Sequence, residues 1–144
     1  MTTLTRTADA PSLSIPAPST VARWAARILT GLAVAFLAFD SVGKVLQLAP
    51  VMESAPTLGI PAGLIPVIGW IGLACLALYL IPRTAPLGAI LWTGYLGGAI
   101  ATHARLEQPL FTHTLFPIYV AALLWLPLWL RDARVRALTS AARR

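Results

Sequence analysis

Asp40 and Lys44 stand four residues apart in an otherwise apolar run, Leu29 to Leu48, LTGLAVAFLAFDSVGKVLQL. In a helix that spacing puts a carboxylate and an ammonium on one face, where they pair. Such a pair matters most inside a membrane, where an ionised side chain at a helix centre costs about 2.5–3.5 kcal/mol and normally finds a partner. Arg105 is the other candidate counter-ion for Asp40. A second polar group follows in Gly94 to Tyr119, with Thr102, His103, Arg105, Glu107, Gln108, His113 and Thr114. Both histidines of the protein lie in this corner. Imidazoles at that place suit hydrogen bonding or proton exchange at a membrane interface. Together with Glu107 they make a thinkable metal set, but their spacing fits no zinc or di-iron signature, so no metal ligand is assigned. No Ser or Cys stands in a nucleophile motif, and no phosphate loop, dinucleotide fingerprint or CxxC is present, so no catalytic residue is assigned either.

The elements that carry these residues are set by composition. Of 144 residues, 58% are hydrophobic and 11% charged, and the mean hydropathy is +0.77. A soluble domain has about 25% charged residues, so the chain is too apolar to keep a soluble surface. The expected fold is all-α, an integral membrane bundle of four transmembrane helices. The spans fall at about 24–46, 62–81, 87–104 and 114–130, within a domain of residues 23–131. Residues 1–22, rich in Thr, Ser, Pro and Ala, read as a disordered tail with no apolar signal segment, and residues 132–144 as a basic tail able to form a short surface helix.

In the first span Arg27 and Lys44 are 17 residues apart, about 25 Å along a helix, so each reaches one headgroup layer. Leu48 to Pro61, with Pro50, Pro56, Gly59 and Pro61, reads as a loop with room for one short helical turn. Pro82-Arg83-Thr84-Ala85-Pro86 stops one helix and starts the next. Gly43, Gly69, Gly72, Gly94, Gly97 and Gly98 are the expected packing positions, because small residues let helix backbones approach in lipid. Gly94 and Gly98, at GxxxG spacing, are read first as packing within the subunit and second as a dimer face. Pro117 falls in a first helical turn, while Pro127 must bend or end the last span unless Trp129 and Leu130 already lie at the interface. Cys75, the one cysteine, reads as a small buried hydrophobe.

Charge sets the orientation. With four spans, Arg6, Arg23, Arg27, Arg83, Arg131, Arg134, Arg136, Arg143 and Arg144 share one side, against Lys44 and Arg105 on the other. That bias puts both termini in the cytoplasm, with Trp24, Tyr79, Trp125 and Trp129 as an aromatic belt at the cytoplasmic interface. The net charge of +6 therefore belongs to tails that meet anionic headgroups, and nucleic acid is excluded as a partner.

Two segments resemble a known family. The run LTGLAVAFLAFDSVGKVLQL is similar to the first helix of DoxX-like small membrane proteins. GYLGGAIATHAR, a polar turn and PLFTHTLFPIYVAALLWLPLWLRD are similar to their third and fourth. The resemblance covers Ala25 to Leu130, and Gly43, Lys44, Gly94, Gly97, Gly98, His103 and Arg105 look like its shared pattern. It implies a four-helix bundle in a bacterial inner membrane. The family takes its name from a subunit associated with quinone-linked sulfur oxidation, and most members have no assigned reaction, so the cofactor stays unassigned, with a quinone and a partner membrane or redox subunit as candidates. No catalytic role is carried over.

Three functions follow as expectations. The first is a non-catalytic membrane component that binds a small apolar ligand (quinone or lipid) or a partner subunit through Asp40, Lys44, Thr102, His103, Arg105, Glu107 and His113. The second is an intramembrane enzyme using Asp40 and His103 for proton transfer or redox chemistry. The third is a transporter subunit, which with so few spans works as a homo-oligomer.

Overall fold

Ser19 starts the first helix: its hydroxyl accepts the amide of Ala22 at 3.2 Å, which satisfies one of the free donors of a helix N-terminus. Helix α1 then runs over Thr20–Val45, long enough at about 39 Å to cross a bilayer with tilt. The computed structural model describes residues 19–141. Of the tail expected over 1–22, residues 1–18 lie outside the described residues, and from Thr20 the chain is already helical.

The remaining elements are set by proline and by positive-φ turns. A short helix, α2, Ala49–Ser54, occupies the expected loop with Pro50 in its first turn. A 3-10 turn, Ala62–Leu64, leads into α3, Ile65–Leu80. Helix α4, Ala85–Arg105, has Pro86 in its first turn. A π-helical turn, Leu110–Thr114, precedes α5, Phe116–Arg131, and α6 covers Ala133–Ala141. Helix α5 continues through Pro127 to Arg131. Pro127 removes one amide donor, but its ring is buried against the core, so the helix ends four residues later, at the polar Arg131-Asp132 pair. No strand occurs among the described residues.

Helices α1 and α4 each pack against both α3 and α5. Ala and Gly sit at the closest helix contacts, Trp92, Tyr79, Leu37 and Leu124 fill the core between them, and further large apolar residues face outward. Ala26, Ala33, Ala85 and Ala89 are buried, whereas Phe39, Trp70, Ile90 and Phe111 are exposed, Phe39 by 74% and Phe111 by 70%. Water would penalise such a surface, and hydrocarbon would not. The helices Thr20–Val45, Ala62–Leu80 and Leu110–Arg131 are each long and apolar enough to cross a membrane. These features make the chain an all-α membrane protein. Helix α4 is as long, with 21 residues, but its Gly, Thr, His and Arg residues dilute its apolarity.

Glycine packing differs from the expectation in a systematic way. A Cβ at Gly69 would lie 2.8 Å from the Ser41 carbonyl oxygen and 2.8 Å from the Val45 amide, and one at Gly72 would collide with Ser41 Oγ. Those two glycines close the α1–α3 interface, as expected. Gly43 is buried, with the Leu48 and Val51 side chains at ordinary contact distance. Gly94, Gly97 and Gly98 have nothing within 4 Å of a Cβ, so they do not hold helices together within the subunit. Gly94 and Gly97 lie on the open side of α4, and Gly98 borders a cavity. The close approach there belongs to Gly88, whose Cβ would strike the backbone of Tyr79.

Tyr79 also departs from its expected place in an interface belt. It is fully buried in the core, whereas Trp24 is 59% exposed and takes the Arg27 guanidinium over its ring at 5.3 Å. Cys75 is buried in the core as a free thiol, as expected.

Candidate functional site

The polar ends of α1 and α4 are built alike. At the end of α1, Gln47 takes φ 52°, its amide donates to the Lys44 carbonyl at 3.2 Å and the Leu48 amide to the Gly43 carbonyl at 3.0 Å. At the end of α4, Glu107 takes φ 51°, its amide reaches the Ala104 carbonyl at 3.1 Å and the Gln108 amide the His103 carbonyl at 3.2 Å. Both are Schellman caps with a non-glycine residue in the left-handed position. Each reverses the chain directly after a turn that carries a polar side chain, Lys44 in one case and His103 in the other.

Between these two ends lies a cavity of about 660 Å³, within the 300–1,000 Å³ range of small-molecule sites. Its walls are mostly apolar. Phe36 and Leu37 come from α1, Ile68 and Ile71 from α3, Trp92, Tyr95 and Leu96 from α4, and Phe116 and Val120 from α5. Leu58 to Pro61 and Leu64 close one side. The aromatic rings interlock: Phe36 meets Phe116 edge-on at 5.6 Å, and Trp92 meets Tyr95 at 4.8 Å. Four of the expected polar residues, Asp40, Lys44, Thr102 and His103, reach this cavity.

Each of the four is already engaged. Lys44 Nζ is paired with the Asp40 carboxylate, both side chains being partly shielded, and it stands 6.0 Å from the centre of the Tyr95 ring. Lys44, rather than Arg105, is the counter-ion of Asp40. Thr102 donates its hydroxyl back to the Gly98 carbonyl at 2.9 Å. His103 Nδ1 lies 2.7 Å from Gln108 Oε1. An amide oxygen only accepts, so this nitrogen donates.

The other expected residues lie outside the cavity. Arg105 donates to the Leu58 carbonyl at 3.3 Å, tying α4 to the loop after α2. Glu107 is exposed at the cap. His113 is exposed, bonded to Thr112 Oγ1 through Nδ1 at 2.9 Å, with its ring 6.0 Å from that of His103. The histidines do approach, but no group of three His, Cys, Asp or Glu converges among the described residues.

Sequence reasoning missed the walls, above all Trp92, Tyr95, Leu96 and Ala99. Their spacing with His103, at 92, 95, 96, 99 and 103, is a helical stripe, and that stripe was the available signal. The Trp92 indole nitrogen and the Tyr95 hydroxyl are both buried without a hydrogen-bond partner, which is uncommon in a finished core.

The searches of curated proteins and of solved structures gave no match. A sequence profile of the DoxX-like family matches residues 28–127. That stretch holds the Asp40–Lys44 pair, the glycine-rich helix α4 and His103, so the framework of the cavity lies within it, and the chain belongs to the DoxX-like family.

Proposed function

We propose that this protein is a non-catalytic component of a bacterial inner membrane that holds a small apolar molecule, a quinone or a lipid, at the outer-leaflet end of a bundle of four spans. In this reading α4 is the fourth span and both termini are cytoplasmic, a placement supported by the bias of the arginines. The observation that carries the proposal is the cavity itself: apolar, aromatic-walled and rimmed by Lys44 and His103. A bound carbonyl oxygen would accept from Lys44. The same rim would also suit a side chain of a partner subunit.

The test is native mass spectrometry of the protein from mild detergent, with lipid extraction of the same sample. A stoichiometric quinone or lipid is expected, and it is absent from Gly98→Phe, which fills the cavity from a position with free space around it. An apo wild type that takes up no added quinone or lipid would overturn the proposal.

A second reading is favoured by one observation, that Asp40 and His103 line the same cavity. It makes the pair an acid and a base for intramembrane proton transfer. It predicts a proton released to a pH dye on ligand addition, and none from His103→Gln.

A further inference from the structure

We propose that the occupant of the cavity is a neutral apolar molecule whose polar end carries a hydroxyl group, donated to Nε2 of His103, and that Gln108 is the positioning residue that sets this choice. The inference rests on the reading of the cavity as a ligand site.

Charge comes first. The charged residues of the lining are Asp40 and Lys44, and they are bonded to each other. The wall therefore offers no uncompensated cation, and an anionic headgroup entering it would have to break that pair or remain unpaired in a shielded place. A neutral ligand meets no such cost.

Hydrogen-bond polarity comes second. In a neutral imidazole one nitrogen donates and the other accepts. Nδ1 of His103 donates to Gln108 Oε1, which leaves Nε2 as the acceptor, and no hydrogen bond of the described residues occupies it. Thr102 spends its hydroxyl proton on Gly98. The free lone pair at this rim thus calls for an O–H on the ligand.

The backbone of Gln108 is held on both sides. Its amide is fixed to the His103 carbonyl at 3.2 Å by the α4 cap, and its own carbonyl accepts from Thr114 Oγ1 at 3.3 Å. Held between the last turn of α4 and the π-helical turn, it fixes the tautomer of His103. The interlocked rings of Phe36, Phe116, Trp92 and Tyr95 favour a flat body behind the hydroxyl.

The test uses the full chain in phosphatidylcholine nanodiscs with three matched probes, 4-octylphenol, 4-octylanisole and 4-octylphenyl phosphate. The phenol should bind about tenfold more tightly than the anisole, the effect of one good hydrogen bond, and the phosphate no more tightly than the anisole. His103→Phe should bring the phenol down to the anisole's affinity. Gln108→Leu should weaken the phenol several-fold and the anisole far less, and the melting temperature of each variant in the nanodisc certifies that it is folded. Equal affinity for phenol and anisole would overturn the hydroxyl assignment while leaving a ligand cavity. Preferred binding of the phosphate, lost in Lys44→Met, would overturn the neutral ligand. If no probe binds, the cavity reading and this inference fall together.

Discussion

The Tyr79 hydroxyl of α3 donates to the Leu124 carbonyl of α5 at 2.9 Å, across a core in which both residues are fully buried. It joins two helices whose main packing partners are α1 and α4. Tyr79→Phe should cost about 0.6–1.5 kcal/mol, the measured range for such bonds in membranes and in water. Tyr79→Ala adds a cavity and should cost about 3–5 kcal/mol. Unfolding by denaturant in mixed micelles reads both.

Alanine scanning of glycine should divide by helix face. Gly88→Ala forces a methyl into the backbone of Tyr79 and Gly69→Ala into that of Ser41, so each should destabilise by about 1–3 kcal/mol. Gly94→Ala and Gly97→Ala meet nothing and should be neutral or stabilising by up to about 1 kcal/mol, the helix-propensity gain. Loss of fold in Gly94→Ala would contradict the open side of α4.

The Asp40–Lys44 pair should show strong non-additivity. Lys44→Met leaves a carboxylate unpaired beside the cavity, at a cost of about 1.5–3 kcal/mol. Asp40→Leu combined with Lys44→Met removes both charges and should recover most of that loss. A double-mutant cycle on thermal unfolding measures the difference.

At the opposite end, the Arg134 guanidinium bonds the Asp132 carboxylate at 2.9 Å and the Pro82 carbonyl at 3.0 Å, strapping α6 to the turn between α3 and α4. The hydrogen bond from Arg134 holds the Asp132 carboxyl below the usual carboxylate range. A carboxyl with a depressed folded value stabilises above its unfolded value, about 3.9, and the contribution is lost as pH falls through the folded value. The protection factors of the α6 amides should thus hold from pH 8 to about pH 5 and fall in acid below about pH 4. Asp132→Asn should give the low protection already at neutral pH.

The two caps make a separate prediction. Gln47 and Glu107 hold left-handed φ without being glycine, a conformation that costs about 1–2 kcal/mol for a residue with a Cβ. Gln47→Gly and Glu107→Gly should be neutral or stabilising, and the β-branched Glu107→Val should destabilise and loosen Gln108. Melting temperatures of the three variants in one detergent rank them.

Much of this was legible in the chain. Long apolar runs punctuated by Pro50, Pro61, Pro82, Pro86 and Pro109 located the helices, and i,i+4 spacing paired Asp40 with Lys44. What was not legible depended on neighbours distant in sequence. GxxxG spacing puts Gly94 and Gly98 on one face, yet it does not say whether another helix lies against that face. The contact of Gly88 with Tyr79 exists only because the Pro82–Pro86 turn folds α4 tightly back on α3. Tyr79 reads as a belt residue until Leu124 supplies its acceptor. His103 and His113 were both visible as candidates, and the π-helical turn decides which of them faces the cavity.

The large apolar side chains on the outer surface bear on how the protein is made. Collapse in water would leave Phe39, Trp70 and Phe111 on the outer surface and lead to aggregation. Each span has to enter the bilayer before it can dock on its neighbours, and docking then relies on close van der Waals fit. Refolding should therefore succeed only when a bilayer or micelle is present from the first step.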